Sequence, residues 1–366
     1  MPLHIKIFIA LLVVLACSLV ASFIYLKNQQ AKKQEIQNFN SNIELAKKEA
    51  SSAEGSLIYS DYTAATNHIN TAVDILKKQN CLIENRSSVC DNLSATLEEM
   101  SKKIMRLYTV GAELLASWPQ LGVSRAIMIN KEIIAFGDQS SSVGFFNLLT
   151  KTSEIKDIPV STNDLRIAVV PKENDYALFL YGNNNLLRYD PKQDSWKKID
   201  SELDSNKPSI GLFIYSRRLY SIDDKGTISR QSPINSGFGK PTIWNSNSAS
   251  SLTNATGLAI DGDVFLLDKT GSIEKYTAGE KQQFKLDPVS PALASADAIW
   301  TYLDLKYIYI LDSSNKRIII FNKDGTLKKQ ITSKVFEKIS AMIIDEPSNA
   351  GYILDSNKLY KIELGV

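Results

Sequence analysis

The chain has 366 residues, 44% hydrophobic and 22% charged, with a formal net charge of +2. Two histidines and three cysteines are too few for most His/Cys metal centres or for histidine-based catalysis, and 17 glycines with 11 prolines exclude collagen-like and most low-complexity classes. Near-neutral charge, with no basic stripe in the spacing, argues against a nucleic-acid partner.

Ile7 to Leu26 is a run of 20 residues without a charge. As a helix it would extend about 30 Å, the thickness of a bilayer core. It predicts an uncleaved single-pass membrane anchor within residues 1–27, with Tyr25 at the exit. A cleaved signal peptide, or a lipoprotein signal through Val14-Leu15-Ala16-Cys17, fits less well because the apolar run continues past Cys17 to Leu26. Lys6 precedes the run and Lys27, Lys32 and Lys33 come after it, which would place the rest of the chain in the cytoplasm. Cys81 and Cys90 argue the other way. They flank one short loop and are the only cysteines beyond the run, a pairing that suits a disulfide in an oxidising compartment. The expectation is an extracytoplasmic placement for the stalk and propeller.

Residues 28–118 read as a helical stalk. Ile36, Phe39, Ile43, Ala46, Ala50 and Ala53 recur at alternating intervals of three and four, as do Tyr62, Ala65, Ile69, Ala72 and Leu76. A third seam runs through Leu93, Leu97, Met100, Ile104, Leu107, Gly111 and Leu114. Each seam gives one apolar stripe on a helix. The second and third helices form an antiparallel hairpin whose tip a Cys81–Cys90 bridge would pin, stabilising it by about 2–3 kcal/mol in the chain-entropy picture. The seams also allow coiled-coil self-association with another chain.

From Ser124 onward the helical period stops and short β-rich runs begin, bounded by Gly, Asn, Asp and Ser. Six copies of an apolar strand end at Asp138, Gly182, Asp223, Asp268, Asp312 and Asp355, at intervals of 41 to 45 residues. That period is the length of a four-stranded propeller blade. The last copy is too short for its fourth strand, so closure needs one from elsewhere, and residues around Leu114 to Val123 are the source expected. The predicted fold is mainly β: a six-bladed β-propeller over 119–366, behind the anchor and stalk. The repeated Asp is expected to accept backbone N–H bonds in its turn.

The fifth copy carries Asp312, Asn315, Arg317, Ile318, Phe321, Asp324 and Gly325 in an order that resembles an NHL repeat. The fourth and sixth copies match more loosely, and the first three mostly by period. The resemblance implies the six-bladed architecture and no chemistry of its own.

Ser124, Asp164, Arg166, Thr256, Asp297 and Ser340 start the predicted innermost strands and are the ligand-binding candidates at the channel mouth. No catalytic residue, metal or cofactor is expected. The predicted function is a non-enzymatic, membrane-anchored scaffold binding a protein, peptide or glycan at the cell envelope. The alternatives are a sensor relaying ligand binding to a partner membrane protein, and a calcium-dependent hydrolase, for which Asp164 and Asp297 supply too few ligands.

Overall fold

A computed structural model describes residues 2–83, 86–137, 141–158, 165–205, 207–245, 249–252 and 254–366, without the side chains of 4–7, 9, 10 and 13. It divides into two units, Met1–Ile104 and Met105–Val366.

The first unit is helical, with α1 (Leu3–Ile58), α2 (Tyr62–Lys77) and α3 (Ser87–Ile104). Phe39, Ile43, Ala46, Ala50 and Ala53 of α1 pack on Ala65, Ile69 and Ala72 of α2 and on Leu93, Leu97 and Met100 of α3. The alanines let the helix axes approach closely, because packing distance follows side-chain size. Asp61 caps α2, its carboxylate accepting the Ala64 N–H at 2.9 Å. Cys81 and Cys90 are joined in a disulfide between α2 and α3, with their Cα atoms 6.0 Å apart. Arg86, beside it, lies over the Phe39 ring at 4.6 Å and pairs with Glu35 at 3.1 Å. His68 pairs with Glu49 at 2.7 Å.

The expected membrane span at residues 7–26 is corrected. Among the described residues no helix is long and apolar enough to cross a membrane. Instead of ending as a discrete anchor, the apolar run continues as one helix to Ile58. The single-pass, extracytoplasmic localisation rested on that span and is withdrawn with it.

The third helical seam also stops short. Arg106 adopts φ 52°, and the chain then forms strands at Leu107–Thr109 and Ala112–Ser117. Leu107, Gly111 and Leu114 keep helical spacing in sequence, but pairing with distant strands overrides that local preference.

The second unit is a six-bladed β-propeller. Its innermost strands are Arg125–Ile129, Leu165–Val169, Gly211–Tyr215, Ala255–Ile260, Ala296–Trp300 and Ile339–Asp345. Each is packed against its predecessor and successor, and the last against the first, so they close a ring. Every blade continues outward through antiparallel neighbours. Alternating apolar positions are buried between blades, as in the cluster of Phe265, Leu267, Ile299, Ile310 and Phe321 that joins blades four and five.

Closure comes from the segment before the repeats. Ala112–Ser117 forms the outermost strand of blade six, antiparallel to Lys358–Glu363. Leu107–Thr109 pairs in parallel with Leu327–Thr332, giving blade five a fifth strand. One stretch of chain thus fastens two blades and covers two edges that would otherwise invite association.

In blades four, five and six the repeated Asp ties the hairpin to the segment entering the innermost strand, while among the described residues Asp223 of blade three accepts only the Lys225 and Thr227 N–H groups of its own turn. Asp268 accepts the N–H groups of Thr270 at 2.8 Å and Asn254 at 3.3 Å. Asp355 accepts those of Glu337 at 2.6 Å and Lys338 at 2.8 Å. Blades one and two lack this carboxylate in the ladder. Pairing of Arg125 with Phe136 and of Leu165 with Tyr181 puts Gly137 and Tyr181 at its position. Gly182 therefore sits one residue beyond it, and Asp138 lies outside the described residues.

Blade four buries a carboxylate that the repeat does not forecast. Glu274 is 5% exposed and accepts hydrogen bonds from Ser250 Oγ (2.7 Å), Ser251 N (3.0 Å) and Tyr276 Oη (2.7 Å), as well as from Lys281. Burial alone would raise its pKa, but the bonds from Lys281, the serines and Tyr276 outweigh it and hold the carboxyl down at about 2. The unfolded carboxyl titrates near 4.5, so this stabilisation is complete above that pH and is lost as pH falls from 4.5 toward 2. Glu274→Gln should lower the urea midpoint at neutral pH and flatten its fall across that acid window. An unchanged acid limb in the variant would assign the acid sensitivity to other carboxylates.

Candidate functional site

The innermost strands share a local irregularity at their starts. In blades two, four, five and six the ladder shifts by one residue, at Leu165/Ile167, Ala255/Gly257, Ala296/Ala298 and Ile339/Ala341. The extra residues are Arg166, Thr256, Asp297 and Ser340. Such bulges leave one residue outside the pairing and re-aim its side chain. Ser124 takes the same place in blade one, its N–H reaching Phe136 O at 2.9 Å beside the Arg125–Phe136 pair. In blade three the place belongs to Ile210, whose N–H reaches Ile222 O at 2.9 Å. All six are partly exposed. Five of the expected residues thus hold one equivalent position around the ring, at the mouth where the innermost strands begin. Asp164 lies outside the described residues, and Ile210 is the member that sequence reading missed.

Several of these side chains also stitch blades or turns. Thr256 Oγ1 donates to Ala296 O of the next blade at 2.8 Å. Asp297 accepts from Ser295 Oγ at 2.8 Å and from Ser313 N at 3.3 Å. The Arg166 guanidinium donates to Gly182 O. The charges sit in blades two and five, which face each other across a six-membered ring. Among the described positions the mouth therefore offers one cation and one anion on opposite sides, with hydroxyls between. Among the described residues the innermost strands pair on one side only, so their other edges turn backbone N–H and C=O groups toward the channel.

The other mouth is bridged. Lys172 of blade two reaches Asp304 of blade five at 2.8 Å, an ion pair across the axis. Tyr302 stacks on Phe213 at 5.7 Å and packs beside Tyr215 at 6.2 Å, joining blades five and three. Burial, with Glu173, Tyr215 and Asp304 nearby, pushes the Tyr302 hydroxyl up to about 12. The Lys172–Asp304 pair is exposed and adds little stability, but it spans that end of the channel.

No family model and no curated protein matches the chain. Solved structures match it at the level of fold. The WD40 repeats of RRP9 match with a TM-score of 0.53 and 9% identity, over 69% of this chain and 97% of that one. A gluconolactonase of Xanthomonas campestris matches with a TM-score of 0.53 and 12% identity, over 72% and 92%. Virginiamycin B lyase from Staphylococcus aureus matches with a TM-score of 0.50 and 11% identity, over 70% and 99%. The neighbours are therefore of the gluconolactonase type as well as the WD40 type. They overturn the expectation of a non-enzymatic chain: two of them are enzymes built on this architecture, and a propeller carries binding and catalysis alike. Among the described residues no three His, Cys, Asp or Glu side chains are grouped to hold a metal.

Proposed function

We propose that the propeller binds a polar segment of a protein, peptide or glycan at the mouth ringed by Ser124, Arg166, Thr256, Asp297 and Ser340. The observation that supports this is the recurrence of a polar residue at one equivalent position, bulged in four of them, in five of the six innermost strands. Hydroxyls with one opposed charge pair among the described positions suit a ligand of many hydrogen-bonding groups and low net charge. The bridged far mouth favours a segment that inserts from one side.

Binding of the purified full chain to peptide and glycan arrays tests the reading. Arg166→Gln and Ser340→Ala should each weaken a selected binder several-fold, while Lys198→Gln on the outer strand of blade two leaves it unchanged. Binders indifferent to both mouth substitutions would overturn it. Turnover of an arrayed or lactone substrate that is lost with Arg166→Gln would replace it with a catalytic reading of the same mouth.

A further inference from the structure

Blade three departs from the repeat. After the third strand of blade three, Ile228–Gln231, the chain leaves the sheet and forms a short hairpin of Pro233–Ile234 and Gly237–Phe238 before returning at Thr242–Ile243. The hairpin joins blade two instead: Gly237 and Phe238 pair in parallel with Asp200 and Ser201. The approach is so close that a Cβ at Gly237 would lie 2.0 Å from Asp200 O, which is why a glycine stands there. The detour walls one side of a cleft of about 380 Å³, completed by the outer strands of blade two and by Arg217 of blade three.

Three cations line this cleft: Arg188, Lys197 and Arg217. Arg188 and Lys197 stand directly opposite each other on adjacent strands, an arrangement that destabilises a sheet when both carry the same charge. Among the described residues neither has a carboxylate partner. Arg188 lies over the Tyr176 ring, 4.4 Å from its centre, which holds the guanidinium against the cleft wall. Arg217 has a loose, exposed pairing with Glu173 at 3.5 Å. The lining holds one carboxylate, Asp190, and that group accepts the Lys192 and Gln193 N–H groups of its own turn at 2.9 and 3.3 Å. Ser195, Asn235 and Ser236 add neutral hydrogen-bonding groups.

We propose that this cleft is an anion site, distinct from the channel mouth, that takes the phosphate or sulfate group of an ester-bearing ligand. A phosphate monoester dianion would neutralise the opposed Arg188–Lys197 pair, a sulfate monoester would offset one of its two charges, and the acceptor oxygens of either match a lining rich in donors. The hairpin that departs from the repeat supplies the third wall such a group needs.

Thermal melts of the full chain, in buffers of equal ionic strength containing sodium phosphate, sodium sulfate, sodium acetate or sodium chloride, test the proposal. Phosphate or sulfate should raise the melting temperature by several degrees over chloride, and acetate should not. Glucose 6-phosphate and glucose 6-sulfate then show which ester is preferred. In Arg188→Gln/Lys197→Gln the response should vanish, and Lys197→Gln alone, at an exposed position, should weaken it several-fold. Without added anion, Lys197→Gln should melt no lower than wild type, because it removes the like-charge contact. Lys198→Gln should keep the full response. Equal shifts in acetate and phosphate, or a phosphate response that survives the double substitution, would overturn the assignment.

Discussion

Trp118→Ala is expected to destabilise the propeller by about 3–5 kcal/mol, the usual loss when a buried tryptophan is truncated. Trp118 directly succeeds the closing strand Ala112–Ser117, is 1% exposed, and donates its backbone N–H to Asn357 O at 2.8 Å. Its side chain lies among Ile133, Ala135 and Phe146 of blade one and Leu354 and Leu359 of blade six. It therefore latches the ring where the ends meet. Among the described residues Trp118 Nε1 is buried without a hydrogen-bond partner, so Trp118→Phe, which removes that donor, should cost much less. Gly144 supplies an internal check. A Cβ there would lie 2.6 Å from the indole, so Gly144→Ala should destabilise wild type but be nearly neutral in Trp118→Ala. Urea titration of the four proteins measures that coupling. Additive losses would show that Trp118 and Gly144 do not share the contact.

Arg317→Met is expected to cost a similar amount, about 3–5 kcal/mol, for an electrostatic reason. Arg317 and Asp312 are 1% and 0% exposed, with guanidinium nitrogens 2.8 and 2.9 Å from one carboxylate oxygen. Arg317 also donates to Gln330 Oε1 at 2.5 Å, and Gln330 Nε2 donates to Met105 O at 2.6 Å. The network runs from a blade-five hairpin to the chain just before the first strand. Removing the cation leaves the Asp312 carboxylate buried and uncompensated, the costly half of a broken ion pair. Arg317→Met/Asp312→Asn should recover part of the loss. If the double variant is no more stable than Arg317→Met, the buried charge is not what the single substitution exposes.

The blade count was legible because a propeller writes its architecture into a period, and the Asp-ended strands mark it from Asp223 to Asp355. The incomplete last copy also announced a borrowed strand, found at Ala112–Ser117. The channel-mouth positions could be located because each lies where an innermost strand begins. Three features were opaque for physical reasons. Leu107, Gly111 and Leu114 continue a helical spacing, and only pairing with Gln330 and Tyr360, more than two hundred residues away, makes their segment extended. The hairpin at Pro233–Phe238 has two-residue strands, too short to show any alternation. Glu274 and the Arg188–Lys197 pair acquire meaning from cross-strand neighbours, which a linear reading does not supply. The apolar run at 7–26 gave the opposite error, since composition alone described a segment that continues as one helix to Ile58.

Ring closure by Leu107–Ser117 has a consequence for the order of events on the ribosome. That segment is synthesised before any blade, yet its partners are Leu327–Thr332 and Lys358–Glu363, more than two hundred residues later. It must therefore wait, unpaired, while some two hundred residues are translated, at about 5–20 residues per second. Blades one to four can assemble in turn during that interval, but the annulus stays open until the last strand leaves the exit tunnel. The nascent chain is most vulnerable to proteases and to pairing with a neighbouring copy in that interval, while the edges of blades five and six and the strands that cover them are still apart.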